Sequence, residues 1–134
     1  MNYKLDWLIV YVTNTSEDEV PFAHTTGLGR YNHPEVYITL PVDPKISASF
    51  LNQVGLNIRN DKKMYVIDGD YEDILGEGYK ARIKIYKNVR GEGKDAILLI
   101  IPDINGKFPG DEDCEEVYKE QLALAEKLFE TILV

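Results

Sequence analysis

A chain of 134 residues, 44% hydrophobic and 28% charged, has the size and make-up of one globular domain. It is long enough to bury roughly two-thirds of its unfolded surface without a disulfide or metal staple. A net charge of −8 argues against nucleic-acid binding, which needs clustered Lys and Arg, and leaves solubility or an acidic contact surface as the reading of the charge.

Residues 5–13 (LDWLIVYVT) are rich in β-branched and aromatic side chains, apolar on both faces after Asp6, and predict a covered strand. A polar loop follows at 14–19. Pro21 biases the chain toward an extended segment at 22–28, which Gly27, Gly29 and Asn32 turn. Residues 35–40 (EVYITL) alternate as another strand ended by Pro41. Asp43-Pro44 is a helix start, a side-chain cap followed by proline at the first helical position. Ile46, Phe50, Leu51, Val54 and Ile58 then form one apolar stripe, with Gly55 weakening its last turn.

Residues 63–68 (KMYVID) read as a short strand and Gly69-Asp70 as a turn. Residues 79–86 are amphipathic: Tyr79, Ala81, Ile83 and Ile85 point one way, Lys80, Arg82, Lys84 and Tyr86 the other. The run 96–101 (AILLII) is apolar throughout, as in a central strand, and Pro102 ends it. A loop covers 103–110, and a helix is predicted from Asp113 to the end, with acidic residues in its first turn complementing the dipole. There is no internal repeat and no linker, so 1–134 is expected to be a single domain. The order β-β-β-α-β-β-β-α does not alternate regularly. It predicts an α+β fold: a mostly antiparallel sheet or partly closed (split) β-barrel of about six strands, with two helices.

The start of the chain lacks a signal-peptide pattern, and no run reaches the roughly 18 apolar residues of a membrane helix. The expectation is a cytoplasmic protein with no membrane partner. Cys114, the one cysteine, sits among Asp111, Glu112, Asp113, Glu115 and Glu116, whose charges raise a thiol pKa and disfavour a nucleophile.

Chemistry concentrates at 22–35, which holds both histidines, His24 and His33. Two imidazoles and the Glu35 carboxylate near a glycine turn offer an acid, a base and an orienting group. Thr25 and the glycines can present donors to an anion. As a metal set His24, His33 and Glu35 are poorly spaced, and none is expected. Lys80, Arg82, Lys84, Lys87, Arg90 and Lys94 place six of the fifteen basic residues within fifteen positions; an anionic ligand or a phosphate could bind there, but a solvated face of a charge-guarded edge strand is the expectation. No phosphate loop, nucleophile elbow or Cys-x-x-Cys occurs, and no cofactor follows.

Three motifs in order resemble a bacterial family, number four-two-six-two in the domain-of-unknown-function series. They are Phe22-Ala23-His24-Thr25 with Gly27-Leu28, then His33-Pro34-Glu35, then Pro102-Asp103 with Gly106, Phe108 and Pro109, followed by Gln121. The resemblance covers about residues 20–124. His24 stands where the family tends to have Tyr, Ile101 where Trp often precedes Pro-Asp, and Gly110 where Trp usually follows Phe-Pro. The loss of two large aromatics implies a more open pocket, and the His24 departure shifts the catalytic candidates to His33 and Glu35.

The resemblance brings no activity with it. The leading expectation is a small-molecule pocket formed jointly by 22–35 and 102–109, with Thr25, Gly27, His33, Glu35, Asp103 and Phe108 as its ligand-binding residues. The second is an acidic protein-interaction module of immunity, inhibitor or anti-defence type, open to forming a homodimer. A third, from fold analogy with split barrels, is a flavin-binding protein.

Overall fold

The computed structural model describes residues 6–12, 21–89 and 93–132. Its organisation follows from one strand. Lys94–Ile100 (β6) alternates Ile97 and Leu99 toward one face and Ala96, Leu98 and Ile100 toward the other, and all five are buried. A strand apolar on both sides needs a layer on each. Pro44–Asp61 (α1) supplies one through Leu51, Val54 and Ile58. Gln121–Ile132 (α3) supplies the other through Ala125, Leu128 and Phe129.

The remaining strands are Leu8–Val12 (β1), Phe22–Thr26 (β2), Val36–Ile38 (β3), Gly69–Tyr71 (β4) and Ala81–Val89 (β5). All six form one sheet in the order β1-β2-β3-β6-β5-β4. Every neighbouring pair is antiparallel except β3 and β6, which run parallel with Val36 opposite Ile97. The α+β class and the six strands agree with the sequence reading. Among the described residues the sheet is mixed and open, with β1 and β4 as its edges, so of the two forms expected the mostly antiparallel sheet is the one adopted. Although the sequence shows no repeat, the element order β-β-β-α occurs twice.

Helix α1 starts as read: Asp43 Oδ1 accepts the Lys45 N–H at 2.8 Å, with Pro44 following the cap. Ile46, however, lies off the buried stripe and is 47% exposed. Gly55 is a contact requirement more than a weakness. A Cβ there would sit 2.5 Å from the Trp7 ring, which is buried against the helix with Nε1–H donating to Asn52 Oδ1 at 2.9 Å.

Residues 63–68 form no strand; the strand is Gly69–Tyr71, where a turn was expected. Tyr65 is fully buried and its N–H donates to His33 Nε2, so the segment's backbone is partnered by a side chain in place of a ladder. β5 is an interior strand between β4 and β6, not an edge. Its cations are locally engaged: Arg82 with Asp70 at 2.7 Å and over the Phe108 ring at 4.0 Å, Lys84 over Tyr86, and Lys87 with Asp95. The final helix begins later than Asp113, as Glu116–Lys119 (α2), and is interrupted at Glu120 before α3. Expected features at 1–5, 13–20, 90–92 and 133–134, including the first polar loop and Arg90, lie outside the described residues.

Candidate functional site

β2 ends in Thr25 and Thr26, and Gly27 at φ +119 turns the chain into a single 3-10 turn, Leu28–Tyr31. That φ favours glycine, and a Cβ would also come 2.9 Å from the Asp6 carbonyl. The turn directs two backbone N–H groups at Glu35: Gly27 N–H donates to Oε2 at 3.2 Å and Leu28 N–H to Oε1 at 3.3 Å. The hydroxyl of Thr25, itself fully buried, donates to Oε1 at 2.8 Å and accepts the Val36 N–H at 2.9 Å. Glu35 therefore ties the turn after β2 to the start of β3.

His33 is buried, and both its ring nitrogens have backbone partners. Nδ1 lies 2.8 Å from the Pro34 carbonyl, which can only accept, so Nδ1 carries the proton. Nε2 then accepts the Tyr65 N–H at 2.9 Å. Burial lowers its pKa, outweighing the opposing pull of the Pro34 carbonyl and the Glu35 charge. The imidazole is a neutral bridge with no nitrogen free to take a substrate proton.

Asp103 has the same character at the end of β6. Its Oδ1 accepts from Asn105 and Lys107 N–H at 2.9 and 2.8 Å, and its Oδ2 from Glu115 N–H at 3.0 Å. Burial pushes its pKa up, but these backbone bonds and the Lys107 charge win, and the carboxyl titrates below its ordinary value. Phe108 is buried beneath the Arg82 guanidinium. Gln121, fully buried, accepts the Ile101 N–H at 2.8 Å and donates to the Ile101 carbonyl at 2.7 Å and the Tyr118 carbonyl at 2.8 Å. It completes β6 as a further strand would.

Thr25, Gly27, His33 and Glu35 come together, as do Asp103 and Phe108, but the two groups do not meet. Parallel pairing sets Val36 beside Ile97, so Glu35 lies near the start of β6 while Asp103 follows its end. Seven residues of extended chain separate the two levels, roughly 20 Å. His33 and Glu35 edge a cleft of about 580 Å³ with Tyr37, Lys94 and Asp95; Phe108 edges another of about 370 Å³ with Tyr79 and Ile104. The common pocket expected from the sequence is thus replaced by two separate ones.

The aromatic departures also part company: Ile101 is packed in the core, whereas Gly110 is an exposed turn at φ +96. His24 stacks on Tyr37 at 4.9 Å and on Phe22, while His33 packs against Tyr65. Among the described residues no group of three His, Cys, Asp or Glu is placed to hold a metal, and no helix is long and apolar enough to cross a membrane. Burial and then the charges of Asp103, Asp111 and Glu115 push the Cys114 thiol up.

Sequence reasoning missed a second polar cluster beside His33. Asn57 donates to the Tyr65 hydroxyl at 2.9 Å and to the Asp73 carbonyl at 2.7 Å; Tyr65 donates to Asp73 Oδ2 at 2.9 Å, and Lys63 pairs with the same oxygen at 3.2 Å. Burial, with the Asp73 contact, raises the Tyr65 phenol and keeps it a donor. The available signal was Asn57, a polar residue beside the apolar Ile58 stripe of α1.

The three motifs have a counterpart in known families. The model of a family described as Domain of unknown function (DUF4262) matches residues 3–115. The chain belongs to this family. No curated protein and no solved structure matches it. In this DUF4262 chain the motif side chains Thr25, His33, Glu35, Asp103 and Gln121 all bond backbone groups or one another.

Proposed function

We propose that this DUF4262 domain is a non-catalytic interaction module whose binding element is the β1 edge and whose occupant is β1 of a second copy. The observation that carries it is the edge itself. Leu8-Ile9-Val10-Tyr11-Val12 contains no charge, proline or glycine, pairs with β2 in unbroken register, and leaves Leu8 69%, Tyr11 44% and Val12 36% exposed. Sheet edges are normally blunted by charge, brevity or a bulge. The opposite edge is: β4 has three residues, and its Asp70 is held by Arg82. A two-fold axis through Val10 would pair Leu8 with Val12, Ile9 with Tyr11 and Val10 with itself, every cross-strand pair apolar. The motif side chains, already satisfied, offer no competing acid–base site.

Five residues per chain make a small contact, at the transient end of interface sizes. Each copy also carries a charge of −8, so repulsion opposes association and added salt strengthens it. Sedimentation velocity from about 10 µM to 1 mM tests the proposal. The wild type is expected to dimerise with increasing concentration and salt, and Leu8→Lys and Val10→Lys to stay monomeric with their folded spectra intact. A wild type monomeric throughout, or a dimer indifferent to both substitutions, overturns it.

A further inference from the structure

We infer that His33 is an acid-sensitive latch on residues 62–68, whose protonation breaks the bond to the Tyr65 N–H and frees the segment while the sheet stays folded. Nδ1 faces the Pro34 carbonyl, which only accepts, so it keeps its proton and Nε2 must accept the Tyr65 N–H, 2.9 Å away. A proton on Nε2 sets two donors against each other. Rotating the ring offers no escape, because both nitrogens of the cation are donors.

The segment hangs on Tyr65. Residues 62–68 belong to neither helix nor strand, and Met64, Val66 and Ile67 are exposed around the fully buried Tyr65. Its two ends are tied elsewhere, the Lys63 N–H to the Asn57 carbonyl and the Ile67 carbonyl to the Tyr71 hydroxyl. Between them, Asn57 and Asp73 hold the Tyr65 hydroxyl while His33 holds its backbone. Losing the His33 bond weakens this middle anchor, and opening bares Tyr65 beside its apolar neighbours. Charged groups surround the latch: Glu35 just before β3, Lys63 and Asp73 behind Tyr65, and Lys94 and Asp95 across the cleft; α1 contributes the neutral Asn57. Of these the Glu35 charge favours the protonated ring, and burial outweighs it. The closed state therefore has the lower pKa and the open state an ordinary one of about 6.5. The latch holds above that value and loosens as pH falls toward the closed-state value. It shares no residue with the β1 edge and is independent of dimerisation.

The test is amide hydrogen exchange of the full chain by NMR, with each rate divided by its intrinsic rate at the same pH. The Tyr65 amide is expected to be less protected throughout than that of Ile101, which is buried in the core and bonded to Gln121. Tyr65 protection should fall about five- to thirtyfold between pH 8 and pH 5. His33→Gln keeps one donor and one acceptor but does not titrate, and should hold Tyr65 protection constant to about twofold. Asp73→Asn, which removes the neighbouring charge, should leave the pH step in place. The inference is overturned if wild-type Tyr65 protection is flat with pH, or if it equals that of Ile101, which would make the opening global. A pH step that survives in His33→Gln, or vanishes in Asp73→Asn, overturns it as well.

Discussion

Replacing Gln121 by leucine keeps the side chain's size and removes its amide. Three backbone groups then lose their partner: the Ile101 N–H, the Ile101 carbonyl and the Tyr118 carbonyl. The two at Ile101 lie in the core, where that residue is 4% exposed, and each costs about 1–3 kcal/mol when unpaired. Tyr118 is less buried and loses less. Leucine returns about 1 kcal/mol by burying more apolar surface, so the net loss is roughly 1–5 kcal/mol, a large part of the 5–15 kcal/mol typical of a domain. With an unfolding entropy of about 2.1 cal/mol/K per residue, a chain of 134 residues has about 0.28 kcal/mol/K, and Tm should fall by about 4–18 °C. The assay is thermal and urea unfolding followed by Trp7 fluorescence, which reports from the core cluster that also holds Ile101. A fall of less than about 3 °C with an unchanged urea slope would refute the view that this amide completes β6.

Thr25→Val strands the Val36 N–H and removes one Glu35 donor; urea unfolding should show a loss of about 1–3 kcal/mol. Gly55→Ala sets a methyl 2.5 Å from the Trp7 ring; the overpacking cost of about 1–3 kcal/mol should outweigh the helix-propensity gain, and the Trp7 emission should shift. His33, with its folded pKa depressed by burial, contributes stability above the unfolded value of about 6.5 that is lost as pH falls toward the lower folded value. The urea midpoint should therefore drop between pH 7 and 5, and His33→Gln should flatten that window. Nitrogen NMR should show protonated Nδ1 and bare Nε2 persisting below pH 6.5.

Legibility tracked how local each cause was. The cap at Asp43-Pro44 and the two-sided run at 96–101 are set by adjacent residues, and both could be read directly. Residues 63–68 have strand-like composition, but Tyr65 answers to His33, thirty-two positions earlier, and no local pattern carries that pairing. The site divides in the same way. The clustering of both histidines at 22–35 marks Thr25, His33 and Glu35, and the family resemblance adds Asp103 and Gln121. Neither can say that their partners are backbone groups, because a side chain that caps a turn and one that binds a ligand look alike until the turn is seen. Nor could the two motif groups be separated without knowing that β3 and β6 run parallel, which sends their following loops to the same end and leaves Glu35 at the other.

That parallel pair also governs how the molecule assembles. β1-β2-β3 and β4-β5-β6 are each antiparallel meanders, in which neighbouring strands are joined by local chain. The seam between them joins Val36 to Ile97, about sixty residues apart, with the whole of α1 in between. Closing so long a loop is costly before any contact is gained, so seam formation should limit the folding rate. Until it closes, the apolar flanks of β3 and β6 are open edges, and the nascent chain is most prone to aggregation there.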